Sequence, residues 1–154
     1  MTVLYFSSTG NSLYIAKRIG GKLLSIPECI HKEVFDIEDS EVGIIFPVYG
    51  LCVPPFKKLM TKNHLKNYEF ETGVGITDML TVTDDCRGCG TCVSLCPMKN
   101  ISISDRTPVF GSTCISCGSC LQNCPQNAIH HKNEKSVTRY RNPHISLEEL
   151  KISS

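Results

Sequence analysis

Charge of either sign is nowhere in excess: sixteen Lys and Arg stand against fifteen Asp and Glu, a formal net charge of +1, and the charges are scattered. That leaves no basic stripe to track a nucleic-acid backbone and no basic amphipathic face to lie on a membrane. Long apolar runs are missing as well. The opening Met1 to Phe6 has no charged leader, and its apolar stretch, Val3 to Phe6, is too short for a signal-peptide core or a membrane span. A cytoplasmic protein is therefore expected. No G-x-S-x-G, P-loop or H-E-x-x-H motif occurs, so hydrolase and kinase chemistry has no carrier and no catalytic residue is assigned. His31, His64, His130, His131 and His144 show neither H-x3-H spacing nor a paired acid, and they read as surface residues.

Cysteine, by contrast, is abundant. Eight of the ten cysteines fall between Cys86 and Cys124, a density that in a reducing compartment points to metal or catalysis rather than to disulfides. Cys86, Cys89, Cys92 and Cys96 before Pro97 spell C-x2-C-x2-C-x3-C-P, and Cys114, Cys117, Cys120 and Cys124 before Pro125 repeat it. Three thiolates at steps of three, in a loop of small residues, converge on one cuboidal 4Fe-4S cluster. The fourth is expected to project from the start of a following helix, turned away by the proline. Zinc takes two C-x2-C knuckles per site and leaves the third Cys of each triplet and the Cys before proline unexplained.

Gly88, Gly90, Thr91, Gly118 and Ser119 are small enough to let backbone N–H groups approach cluster sulfides. Val93, Leu95, Ile101, Ile103, Ile115, Leu121, Ala128 and Ile129 supply apolar packing to wrap the clusters. Arg87, Lys99, Arg106, Lys132 and Lys135 either balance cluster charge, steer an acidic partner or form solvated surface.

The two runs resemble those of bacterial two-cluster ferredoxins. In such proteins the fourth Cys of each run ligates the other cluster. The resemblance implies that Cys86, Cys89, Cys92 and Cys124 hold one cluster and that Cys114, Cys117, Cys120 and Cys96 hold the other.

Toward the N-terminus, Val3 to Phe6 reads as a strand and Ser7, Ser8, Thr9, Gly10, Asn11 and Ser12 as a loop. Leu13, Tyr14, Ala16, Ile19, Leu23 and Leu24 follow at helical spacing. A hydroxyl-rich loop at a helix N-terminus offers donors to a phosphate, although ordinary turns and caps use the same residues. Val42 to Val48 reads as a buried parallel strand ending in Pro47, Val48, Tyr49 and Gly50. Glu33 to Ile37 offers a weak strand between the two. Pro54 and Pro55 open a helix through Phe56, Leu59 and Met60. This is a βαβ pattern, whose ligand crevice lies beyond the strands' C-terminal ends.

The stretch from Leu4 to Ser12 resembles the phosphate loop of flavodoxins, and the order of segments resembles a bacterial flavodoxin-ferredoxin fusion family. The resemblance implies FMN phosphate held by Ser7, Ser8, Thr9, Gly10, Asn11 and Ser12, with Pro47, Val48, Tyr49 and Gly50 approaching the flavin ring. Arg139 to Ile145, leading into a helical turn from Leu147 to Leu150, resembles the family's C-terminal end. A complete flavodoxin-like sheet has five parallel strands. Here a possible fourth strand begins at Tyr68 to Phe70, and Glu71 to Gly75 then lead straight to the cysteine segment, as in an internally shortened member.

The expected fold class is α/β plus α+β: a partial flavodoxin-like parallel sheet with helices over 1–75, a two-cluster ferredoxin-like domain over 76–135, and a tail with a short helix over 136–154. Low-potential one-electron transfer between redox partner proteins is the favoured function. An FMN-dependent oxidoreductase and an iron-sulfur structural or regulatory module are the alternatives. Cys29 and Cys52 lie outside the repeats and read as small core or loop residues, with a redox role near a flavin as the other reading of Cys52. An uncovered half-sheet offers an edge to a second copy, which leaves monomer and dimer both open.

Overall fold

The computed structural model describes residues 1–33, 37–47 and 77–152. Strand β1 (Thr2–Tyr5) leads through the hydroxyl-rich loop into helix α1 (Asn11–Ile19), and β2 (Lys22–Ser25), α2 (Ile26–His31) and β3 (Val42–Ile45) follow. The strands form a parallel sheet in the order β2-β1-β3, with Thr2 opposite both Lys22 and Val42. The middle strand is buried along Thr2, Val3 and Leu4, as its apolar run requires. Three parallel strands of the expected sheet are therefore present among the described residues.

The expected helix is cut short. Gly20 and Gly21 both take positive φ, 82° and 89°, and the Gly20 N–H closes the last turn on the Ala16 carbonyl. A residue with a β-carbon is strained in that conformation, so the glycine pair ends the helix and turns the chain back. Leu23 and Leu24 consequently lie in β2 rather than on the helix. Between β1 and β3 the chain adds β2 to the sheet, and the weak strand expected at Glu33 to Ile37 has its centre, 34–36, outside the described residues. The expected helix after Pro54, the strand at Tyr68 to Phe70, Val48 to Gly50, Cys52 and His64 also lie outside them.

From Thr77 the chain makes a 3-10 turn (Thr77–Met79), β4 (Leu80–Val82), α3 (Thr91–Ser94), the hairpin β5 (Ile101–Ser104) and β6 (Thr107–Phe110), α4 (Ser119–Gln122), β7 (Ile129–His131) and a 3-10 turn (Glu148–Leu150). Antiparallel pairing of β4 with β7 ties together the two ends of the cysteine segment. The β5–β6 hairpin separates the two runs, and its turn residues Asp105 and Arg106 both have positive φ, as a two-residue type I′ turn demands.

Three apolar clusters hold these parts together. Leu4, Phe6, Ile26 and Cys29 form one, with Ile115 and Cys117 packed against it. Cys92, Ile101, Leu121 and Ile129 form another between the cysteine runs, with Leu80, Val93 and Phe110 around them. In the third, Leu95 meets Leu13 of α1 and Ile145 and Leu150 of the tail. Of the residues expected to wrap the clusters, Ile103 is instead 38% exposed, because it lies on the outer face of the hairpin.

His31, His130 and His144, expected at the surface, have partners. His31 Nε2 lies 2.8 Å from the Pro97 carbonyl, and the His144 ring stacks on Tyr14 at 5.1 Å. His130 Nδ1 lies 2.6 Å from Glu134 Oε1, and Arg139 reaches Glu134 and the Ile129 carbonyl. The His130 and Arg139 contacts, with the His131 N–H, hold the Glu134 carboxyl down to about 2. Glu134 and Arg139 thereby fasten the start of the tail to β7. No helix among the described residues is long and apolar enough to cross a membrane.

Leu95 is 2% exposed at the meeting of α1, α3 and the tail. Leu95→Ala should cost about 2–5 kcal/mol, the range for a buried leucine truncated without collapse of the site, read from denaturant unfolding.

Candidate metal centre

The two cysteine runs fold alike because they are alike. In each, a glycine in the left-handed conformation (Gly90, Gly118) precedes a single turn of helix, α3 or α4, that carries the third cysteine, Cys92 or Cys120. Cys96 and Cys124 follow the end of that turn rather than opening a new helix, so the expected projection from a helix start is corrected. Beyond each proline the chain turns again: Lys99 and Asn127 have φ of 49° and 50°. The Lys99 N–H donates to the Cys96 carbonyl and the Asn127 N–H to the Cys124 carbonyl. One residue later the Asn100 N–H points at Cys96 Sγ and the Ala128 N–H at Cys124 Sγ, both at 3.3 Å. The Ser116 N–H reaches Cys114 Sγ at 3.3 Å. Backbone donors aimed at sulfur favour the thiolate and, with iron bound, raise the reduction potential.

Tertiary structure brings the runs together crosswise. An apolar cavity behind the β5–β6 hairpin is lined by Cys114, Cys117 and Cys120 of the second run and by Cys96 of the first, with Leu80, Ile101, Phe110 and Leu121. Cys92, for its part, is close enough to Cys89 and Cys124 for both to disfavour its charge. Burial, the larger effect, pushes the Cys92 thiol up to about 11. Burial likewise pushes Cys117 and Cys120 up to about 12, with Cys96 and Cys114 near both. These two keep some accessible surface, and both line the cavity. Buried sulfur of this kind is stable as a thiolate only with a cation to hold it, and a metal would displace its proton.

Cys89 differs. It is exposed, and the Thr91 hydroxyl at 3.4 Å and the Thr91 N–H draw its thiol below the usual range. The Cys86 thiol donates to the Arg106 carbonyl at 3.7 Å. Among the described residues no three His, Cys, Asp or Glu side chains are gathered as the ligands of one ion. Thiolates around one zinc, bonded at ~2.3 Å, stand about 3.8 Å apart, whereas a four-iron cube takes its thiolates at four separate irons and needs a wider set. Donor type, apolar walls and N–H groups aimed at sulfur all fit such a cube. Cys29, outside the runs, is buried among Leu4, Phe6 and Ile26 as expected of a small core residue. Arg87, Lys99, Arg106, Lys132 and Lys135 are all exposed.

The loop expected to hold FMN phosphate is filled by the chain itself. The Asn142 N–H donates to the Thr9 carbonyl at 2.7 Å, while Asn142 Nδ2 and the Tyr140 hydroxyl both donate to Asn11 Oδ1 at 3.0 Å. A β-carbon on Gly10 would meet those of Ile145 and Asn142 at 3.0 and 3.1 Å. Ser7 Oγ accepts from the Gly10 N–H, and Ser8 and Ser12 are buried. On the inner side the Ser8 carbonyl accepts from Asn123 Nδ2 at 2.9 Å and from the Ser119 hydroxyl at 3.4 Å. In this arrangement the Thr9 carbonyl and Asn11 Oδ1 are engaged by the tail. Pro47 is half-buried after β3. The position of the tail against this loop was not legible from Asn142 and Ile145, because their spacing to Thr9 and Asn11 in the chain is too long for any local pattern.

A family model described as a 4Fe-4S dicluster domain matches residues 85–129, a span that holds all eight cysteines of the two runs. No curated protein and no solved structure matches the chain. The match and the geometry together give the chain an iron-sulfur domain of the ferredoxin type.

Gly88 has φ of 66°, and a β-carbon there would meet the Arg106 carbonyl oxygen at 2.8 Å. Gly88→Ala should destabilise by more than about 1 kcal/mol and lower the iron bound per chain. Ser116, at the same place in the second run, already holds φ of 57°, so Ser116→Gly should leave iron content unchanged.

Proposed function

From a ferredoxin-type iron-sulfur domain, we infer that the chain carries electrons singly between redox partner proteins at low potential. Cys86, Cys89, Cys92 and Cys124 would hold one 4Fe-4S cluster and Cys114, Cys117, Cys120 and Cys96 a second. The observation that carries this reading is the presence of Cys96 in the same cavity as the first three cysteines of the other run. Such clusters accept and release one electron with little movement of their ligands, so the protein's part is to bind, bury and tune them. Leu121, Ile129 and Ile101 exclude water, which opposes added negative charge and keeps the potential low. The N–H groups of Asn100, Ser116 and Ala128 act in the other direction. No proton donor or acceptor is required.

An FMN-dependent oxidoreductase needs the loop at Ser7 to Ser12, together with Pro47, Val48, Tyr49 and Gly50. The tail occupies that loop in this structure, and the last three lie outside the described residues, so no observation favours this second reading.

Protein purified without oxygen should contain about eight irons and about eight labile sulfides per chain, four for each cluster, with no FMN. One FMN per chain would instead establish the flavin reading, and zinc without sulfide would remove the electron carrier. Ligation across the runs has its own test. In Cys96→Ala, Cys114, Cys117 and Cys120 should become open to alkylation while Cys86, Cys89 and Cys92 stay protected; the reverse pattern would show that each run binds its own cluster.

A further inference from the structure

The two runs are equivalent in sequence pattern but not in surroundings. The residue after the first cysteine is Arg87 in one run, exposed, and Ile115 in the other, packed on Leu4, Phe6 and Ile26. The second cysteine is Cys89 in one, exposed, and Cys117 in the other, packed against the same apolar cluster. The residue before the fourth cysteine is buried in both runs but differs in kind: Leu95 in the first packs with Leu13 of α1, and Asn123 stands in its place in the second. Asn123 is buried, and its amide is bonded to the Ser8 carbonyl, which fastens α4 to the loop after β1. His31, at the end of α2, reaches across to the Pro97 carbonyl beside Cys96, which lines the second run's cavity.

We propose that the N-terminal sheet and helices serve as a shield over the 114–117 loop, so that the two cysteine sets differ in access to water and electrons are exchanged with a partner on the open side, at Cys86 and Cys89. The inference rests on the two-cluster reading above and adds what that reading does not contain: an inequivalence imposed by a segment outside the cysteine domain. The physical reason is local. Removing iron requires water and a chelator to reach the sulfur ligands, and a loop packed under Phe6 and Ile26 must first open, whereas the Cys89 loop is already in solvent.

The test uses the anaerobic, fully loaded protein, a soluble iron chelator, and iodoacetamide to mark each thiol as it is freed, with peptides mapped over time. Iron should leave in two phases of equal amplitude, the second roughly tenfold slower or more, as expected when local opening must precede access. Cys86, Cys89, Cys92 and Cys124 should be alkylated in the first phase and Cys114, Cys117, Cys120 and Cys96 in the second.

Ile115→Arg, which gives the second run the residue of the first, should bring the slow phase up to the fast one and leave the fast one unchanged. Phe6→Ala, far in sequence from any ligand, should do the same in part. Arg87→Ile should move neither phase. A single phase, simultaneous alkylation of both sets, or equal acceleration of both phases by Phe6→Ala would overturn the shield while leaving the electron carrier intact. Protein that binds no iron would overturn both.

Discussion

Sulfur gathered in an apolar setting is the condition on which the rest of the structure turns. Cys92, Cys117 and Cys120 sit where burial pushes their thiols to about 11 or 12, and the groups nearest them include other cysteines. Such a cluster of sulfur is a poor core for a metal-free protein, since thiols pack as small hydrophobes and contribute little beyond that. It becomes sensible when iron takes the place of the protons. The short helices, the left-handed turns after each proline and the N–H groups aimed at Cys96 and Cys124 all act to hold sulfur in position.

Around that centre the chain uses two kinds of fastening. The antiparallel pair β4 and β7 closes the cysteine segment on itself, and the cluster of Cys92, Ile101, Leu121 and Ile129 fills the space between the runs. The N-terminal segment is then joined from both sides. Leu13 meets Leu95 and the tail residues Ile145 and Leu150, while Leu4 and Phe6 meet Ile115 and Cys117. A three-stranded parallel sheet alone buries little surface for its size, and here much of its missing cover comes from the cysteine domain and the tail.

The same docking accounts for the state of the hydroxyl-rich loop. Thr9 and Asn11 of that loop receive the backbone and side chain of Asn142 and the Tyr140 hydroxyl. Lys17 of α1 also pairs with Glu149 of the tail. What resembles a cofactor loop in sequence thus serves in this structure as a seat for the chain's own C-terminal segment.

Much of this was legible beforehand, and the reason is the length scale of the signals. Cysteine spacing, the proline after each fourth cysteine and the β1–loop–α1 pattern are set by residues within a few positions of one another, so local geometry carries them directly from the sequence. Even there, periodicity misled at Leu23 and Leu24, because two glycines broke a helix that apolar spacing alone would have continued. Which cysteines share a cavity depends on how the two runs pack across the hairpin between them, and which run is covered and which segment meets the hydroxyl-rich loop depend on contacts between residues about a hundred or more positions apart, such as Asn123 with Ser8 and Asn142 with Thr9. The sequence by itself determined that eight cysteines form two equal runs; only the tertiary structure, by packing Ile115 against the N-terminal apolar cluster and leaving Arg87 in water, made them unequal.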